Sequence, residues 1–184
     1  DTLVLEFPSP ILPNEDVSMP LYLYDAANAW DANWNMVGNP YLSYYDMDSI
    51  SDFFYPIIAW NGTGYDTYRP GDDVYHFKPL EGFFIQNANL SQVTLPISGR
   101  ETRTEANTKL ADSHSLRKVM AAAPAEKEER KLINLTLSSA TYTDRTRVVF
   151  NANASLEYEI GVDANKFISS SAPVQLYSLG KNNE

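Results

Sequence analysis

Trp34-Asn35-Met36-Val37-Gly38-Asn39-Pro40-Tyr41 is the stretch from which the fold of this chain is read. Trp34, Met36 and Val37 favour a strand with a buried side, and Asn35 is expected on the opposite side. Gly38 accepts backbone angles that a residue with a Cβ resists. Asn39 precedes a proline and is therefore pushed toward extended backbone, and Pro40 ends a ladder because it has no N–H. A strand running into a rigid, non-helical corner follows, with Asn35 and Asn39 placed to bond the corner's backbone. No group in the stretch acts as nucleophile or base near neutral pH. Trp34, Asn35, Gly38, Asn39 and Pro40 thus read as a structural motif.

Outward from this corner the pattern stays β-like. Upstream, Leu3, Leu5 and Phe7 alternate with Thr2, Val4 and Glu6 as a period-two strand, and Leu21 to Tyr24 reads as a second. Downstream, Asp48 to Phe54 reads as a short helix capped by Asp48 or Ser49, with Ile50, Phe53 and Phe54 on its buried face. Ile57 to Trp60, the turn Asn61-Gly62-Thr63-Gly64 and Tyr65 to Tyr68 have hairpin chemistry. Pro70-Gly71-Asp72-Asp73 turns the chain into Val74 to Phe77, and strands over 83–86 and 93–97 follow. Strands this short and this often punctuated predict antiparallel sheets, not β-α-β units.

The character changes at Ser98. Residues 99–131 read as a charged linker or surface excursion, with a helix over Lys109 to Ala122 as the alternative. From Leu132 the alternation returns, with Ile133, Leu135 and Leu137 expected to face inward. Thr143-Asp144-Arg145 is expected to turn the chain into a strand over 146–150, and 174–179 reads as a last strand. The expected class is all-β: an antiparallel, jelly-roll-like β-sandwich over 1–98, then a second small or incomplete β lobe over 132–184. That lobe is short for an independent core, so it either packs on the first or leaves an open sheet edge for another segment.

Composition bounds the function. The 184 residues are 43% hydrophobic and 12% aromatic, with twelve Tyr, eight Phe and three Trp, which favours strands. A net charge of −10 argues against nucleic acid or an anionic membrane as partner. There is no cysteine, hence no disulfide framework or thiol chemistry. No apolar run reaches transmembrane length, so membrane insertion is not expected.

Asp46, Asp48 and Asp52, with Asp72 and Asp73 nearby, are the carboxylates that could take a hard cation, which makes calcium the one candidate cofactor. Calcium wants six to eight oxygens, however, and helix caps or solvated turns account for the same residues. Trp30, Tyr44, Tyr45, Tyr65 and Tyr68 lie in or near expected loops and are the candidate glycan-stacking residues, although sandwich cores also consume aromatics. His76 and His114 without cysteine make a poor zinc set. No serine has a nucleophile context of the G-x-S-x-G kind, so the chain is not expected to be an enzyme.

The opening stretch, with Ser43 and Asp46 or Asp48 behind it, resembles the "WNLVGNPYPSxxDW" region of large secreted and surface proteins of Bacteroidota. Ile58-Ala59-Trp60 with Tyr65 and Tyr68 resembles that group's "I-x-W…Y-x-x-Y" hairpin. Pro79-Leu80-Glu81-Gly82-Phe83-Phe84-Ile85 resembles its "P-x-x-GFFV" strand. Asp144-Arg145 through Phe150 resembles "D-R-x-x-V-x-F". Asp163-Ala164-Asn165-Lys166-Phe167, followed by Pro173 to Ser178, resembles "D-A-x-K-L…P-x-L-Y-S". Leu42 and Met47 depart from the group's usual proline and tryptophan.

The resemblance implies a non-catalytic β-sandwich region of a protein exported to the cell surface or beyond, often by type IX secretion. Its expected role is structural or adhesive. Its expected partners are other segments of the parent protein or another surface protein, and glycan binding is the alternative. In that group further strands follow the last piece, so the resemblance implies a chain cut short at Glu184.

Overall fold

The computed structural model describes residues 13–101, 131–170 and 172–179. The expected strand over 2–7, the expected helix over 109–122 and most of the charged linker lie outside these residues. The described chain is all-β, with three single 3₁₀ turns at Ala29–Asp31, Met47–Ser49 and Ile97–Gly99.

Eight strands pair in a nested order. β1 (Val17–Pro20) pairs β8 (Gln92–Leu95), and β2 (Trp34–Gly38) pairs β7 (Gly82–Gln86). β3 (Tyr44–Asp46) pairs β6 (His76–Phe77), and β4 (Ile57–Trp60) pairs β5 (Tyr65–Tyr68), all antiparallel. Folding a long hairpin back on itself produces this order, which is that of a jelly roll. The pairs sort into a four-stranded sheet β2-β7-β4-β5 and an opposing layer made of β1-β8 and β6-β3, to which a further short strand, Arg100–Glu101, adds beside β3. Pro96 and the 3₁₀ turn after β8 break its ladder, and β9 (Arg100–Glu101) then resumes pairing beside β3. A bridge between Ser51 and Thr94 ties the two parts of this layer.

The core lies between the layers. Val37, Phe83, Ile85, Ile57 and Ala59 face inward from the four-stranded sheet. Tyr41, Tyr45, Met47, Phe77, Val93 and Leu95 meet them from the other side. Phe77 stacks on Phe83 with centroids 4.2 Å apart, and Tyr41 on Tyr45 at 5.7 Å. Gly99 belongs to this packing, because a Cβ there would lie 2.5 Å from Tyr45 Cζ.

Several expectations are corrected. In β2 the alternation is inverted: Asn35 and Val37 are buried, whereas Met36 is 70% exposed. Asn35 tolerates burial because its amide is satisfied, accepting from Tyr22 N and donating to Tyr22 O and Asn33 O at 2.8–2.9 Å. Gly38 keeps ordinary strand geometry, and a Cβ there would sit tightly, 3.3 Å from Glu81 O. Asn39 does bond the corner, donating to Ser43 O and Lys78 O and accepting from Tyr41 N.

Residues 48–54 form no α-helix. Asp46 caps the single turn Met47–Ser49, Asp52 takes φ 49°, and Phe54 is exposed while Ile50 and Phe53 are buried. Extended backbone satisfies both burials without a helical period, and the three aromatics Phe53, Phe54 and Tyr55 ahead of Pro56 favour it.

Leu21–Tyr24 is not a strand, since the ladder with β8 lies just upstream in β1. Residues 174–179 pair with nothing in regular structure. The turn expected at 143–145 falls at 139–142, and Thr143 already belongs to β11 (Thr143–Phe150), which pairs β10 (Lys131–Ser138) over their whole length. Ile133, Leu135 and Leu137, expected to face a core, are 39–47% exposed. The reason is that described residues cover only the Asp144 end of this face, through Lys166 and Leu176.

Candidate functional site

The second lobe packs onto the first through one chain of contacts. Phe167 inserts into the outer face of the four-stranded sheet, meeting Trp34, Phe84 and Tyr65 at ring-centroid distances of 4.7–5.4 Å. Lys166 beside it pairs with the Asp144 carboxylate and donates to Tyr65 O. Asp144 is nearly fully buried, and its second oxygen accepts from Leu176 N at 2.7 Å. Burial alone opposes its charge, but the Lys166 and backbone hydrogen bonds outweigh that and hold the carboxyl below its usual range. Tyr158 bonds Gln86, Asn165 donates to Trp30 O, and Arg147 forks onto Asp73. Arg145 lies 4.4 Å over the Tyr68 ring and donates to Thr67 O, on the edge strand β5. The 144–150 and 163–167 pieces therefore meet each other as well as the first lobe.

The candidate stacking residues are not brought together. Tyr45 is removed from the set by its burial, at 0% exposure against Tyr41. Tyr68 is held between Tyr75, centroid 4.0 Å away, and Arg145, and burial pushes its hydroxyl well above the ordinary tyrosine range. Tyr65 is edge-on to Trp60, Phe84 and Phe167, so the chain's own phenylalanine occupies its surroundings. Trp30 is half-buried beneath Trp34, whose indole N–H donates to Trp30 O. Tyr44 is half-buried in β3 opposite Glu101. These rings fill space between elements.

Asp46, Asp48 and Asp52 do not converge either. Asp46 accepts from Asp48 N, Asp48 accepts from Gly71 N, and Asp52 stands exposed at its own turn. Desolvation first, and then Asp46 and Asp73, push the Asp48 carboxyl above its usual range. Among the described residues no group of three or more His, Cys, Asp or Glu is placed to hold a metal ion. His76 instead contacts Glu101, Nδ1 to carboxylate 2.8 Å, both side chains mostly buried.

Two shallow openings carry polar lining. One lies between the turns at 61–66 and 139–143, and the other beside Ser43 and residues 97–101. Among the described residues that line them, the first has the carboxylate Asp66 and the second Glu101.

Two surfaces stand out that the sequence pattern had placed inside elements. One is the β10–β11 hairpin, with every residue of β10 exposed. The other is Tyr22 and Tyr24, 55% and 54% exposed. The Leu-Tyr-Leu-Tyr alternation was the available signal for the latter, because it puts two tyrosines on one side. Among the described residues no helix is long and apolar enough to cross a membrane. Comparison with protein-family models, with curated proteins and with solved structures finds no match to this chain.

Proposed function

We propose that this chain is a non-catalytic β module of a larger secreted or cell-surface protein. In this reading it works as a structural or adhesive segment, outside the cell or on the outer-membrane surface. The observation that carries it is β10. All eight of its residues are exposed, its uncharged run Leu132–Ser138 pairs on one side only among the described residues, and its Ile133-Leu135-Leu137 side is apolar. An edge without charge, proline or bulge is a template for another strand, and proteins that leave it bare aggregate. Its occupant is therefore another segment of the parent protein or of a neighbouring surface protein, added by β-augmentation. The ordered resemblance to Bacteroidota surface proteins supports the cellular setting.

The test is site-specific photo-cross-linking in the full-length parent protein on intact cells. Probes at Ile133 and Leu135 should capture a peptide from outside this module, while one at Leu80, exposed on the first lobe, should not. Capture only within the hairpin itself would overturn the reading.

A further inference from the structure

Tyr22 and Tyr24 are held in place by a device that serves no core. Asn35 Oδ1 accepts from Tyr22 N and Asn35 Nδ2 donates to Tyr22 O. Two residues on, Tyr24 N donates to Asn33 Oδ1 at 2.7 Å, and Asn33 N donates to Tyr24 O at 3.1 Å. Two asparagines thus stand in for a neighbouring strand, bonding alternate backbone units. The two rings lie 6.1 Å apart, tilted by 47°. Leu21, just before them, is buried and continues the β1 ladder through its bond to Ser91 O.

The outer face of β1-β8 leads directly to these rings. Ser18 faces Thr94 with their hydroxyls 2.8 Å apart, and exposed Pro20 faces exposed Gln92. One strip of surface therefore carries hydroxyls, a side-chain amide, and then two half-exposed aromatic rings on clamped backbone. Tyrosine in such a place offers an apolar face and a polar tip together. Because the backbone is already ordered, little entropy is lost when something settles on it.

We infer that this strip is a binding site for a neutral glycan chain, whose sugar rings stack their C–H faces on Tyr22 and Tyr24. Their hydroxyls bond Gln92, Ser18 and Thr94. The strip itself bears no charge, and a chain of net charge −10 repels uronate or sulfated glycans, which selects neutral ones. A protein partner would want a desolvated apolar centre with a polar rim, whereas here polar groups and rings share one line. The site lies on a different sheet from β10, so its test stands or falls independently of edge docking there.

The experiment titrates the full 184-residue chain with neutral β-1,4-linked hexasaccharides of glucose, xylose and mannose, with hexagalacturonate as the charged contrast. Amide chemical shifts and calorimetry provide the readout. At least one neutral chain should bind saturably and shift the amides of residues 18–24 and 92–94. Tyr22→Ala/Tyr24→Ala should weaken it about tenfold or more, equivalent to about 1.4 kcal/mol, with an unchanged thermal unfolding curve. Gln92→Ala should weaken it less. Three results would each overturn the inference: no neutral hexasaccharide binding at millimolar concentration, unchanged affinity in the double variant, or tighter binding of hexagalacturonate.

Discussion

At the scale of single residues, this fold is specified by polar side chains that mimic backbone. Asn35 is buried in β2 with its amide fully used, so Asn35→Leu removes the side-chain partners of Tyr22 N and Tyr22 O, while Asn33 O keeps its bond from Asn87 N. It should lower unfolding stability by about 1–3 kcal/mol, read from the denaturant midpoint. Gly99→Ala drives a methyl into Tyr45 and Ser49, and a cost of about 1–3 kcal/mol or more is expected by the same measurement. Asp144 gives the pH dependence. Its folded value is depressed, so its contribution is complete above the unfolded carboxylate range and is lost as pH falls through the folded value. Thermal unfolding between pH 2 and 6 should show an acid limb that flattens in Asp144→Asn. Asp48 has the opposite sign: its raised value costs stability once ionised, so Asp48→Asn should raise the neutral-pH midpoint.

At the scale of elements, legibility followed the turns. The Asn61–Gly64 hairpin and the strands beside it were readable because turn chemistry and alternation agree there. The stretch 48–54 was misread because Ile50, Phe53 and Phe54 fit a helical period by accident, and the contact that decides the matter is a bridge to Thr94, far along the chain. The hairpin of β10 and β11 was readable as strands but not as an exposed sheet, since alternation marks an apolar side without saying what covers it. With its apolar side covered only at the Asp144 end among the described residues, Leu135→Thr should change stability by no more than about 0.5 kcal/mol. Phe83→Ala, between the layers, should cost about 3–5 kcal/mol in the same unfolding experiment.

At the scale of the whole molecule, the two lobes are joined by Phe167, Lys166, Arg145 and Arg147, each engaging a residue roughly seventy to a hundred and thirty positions earlier. One cooperative transition is expected. Phe167→Ala should lower its midpoint by about 3 kcal/mol and red-shift tryptophan emission as Trp34 meets water.

The sequence by itself determined the all-β class, the antiparallel pairing of neighbouring strands and the asparagine-proline corner, because alternation and turn chemistry act over a few residues. Tertiary structure alone decided which side of β2 is buried, which aromatics fill the core and which face water, and that Asp48 is taken up by a bond from Gly71 N. Each of those outcomes depends on a partner supplied from tens of residues away. No local period carries that information.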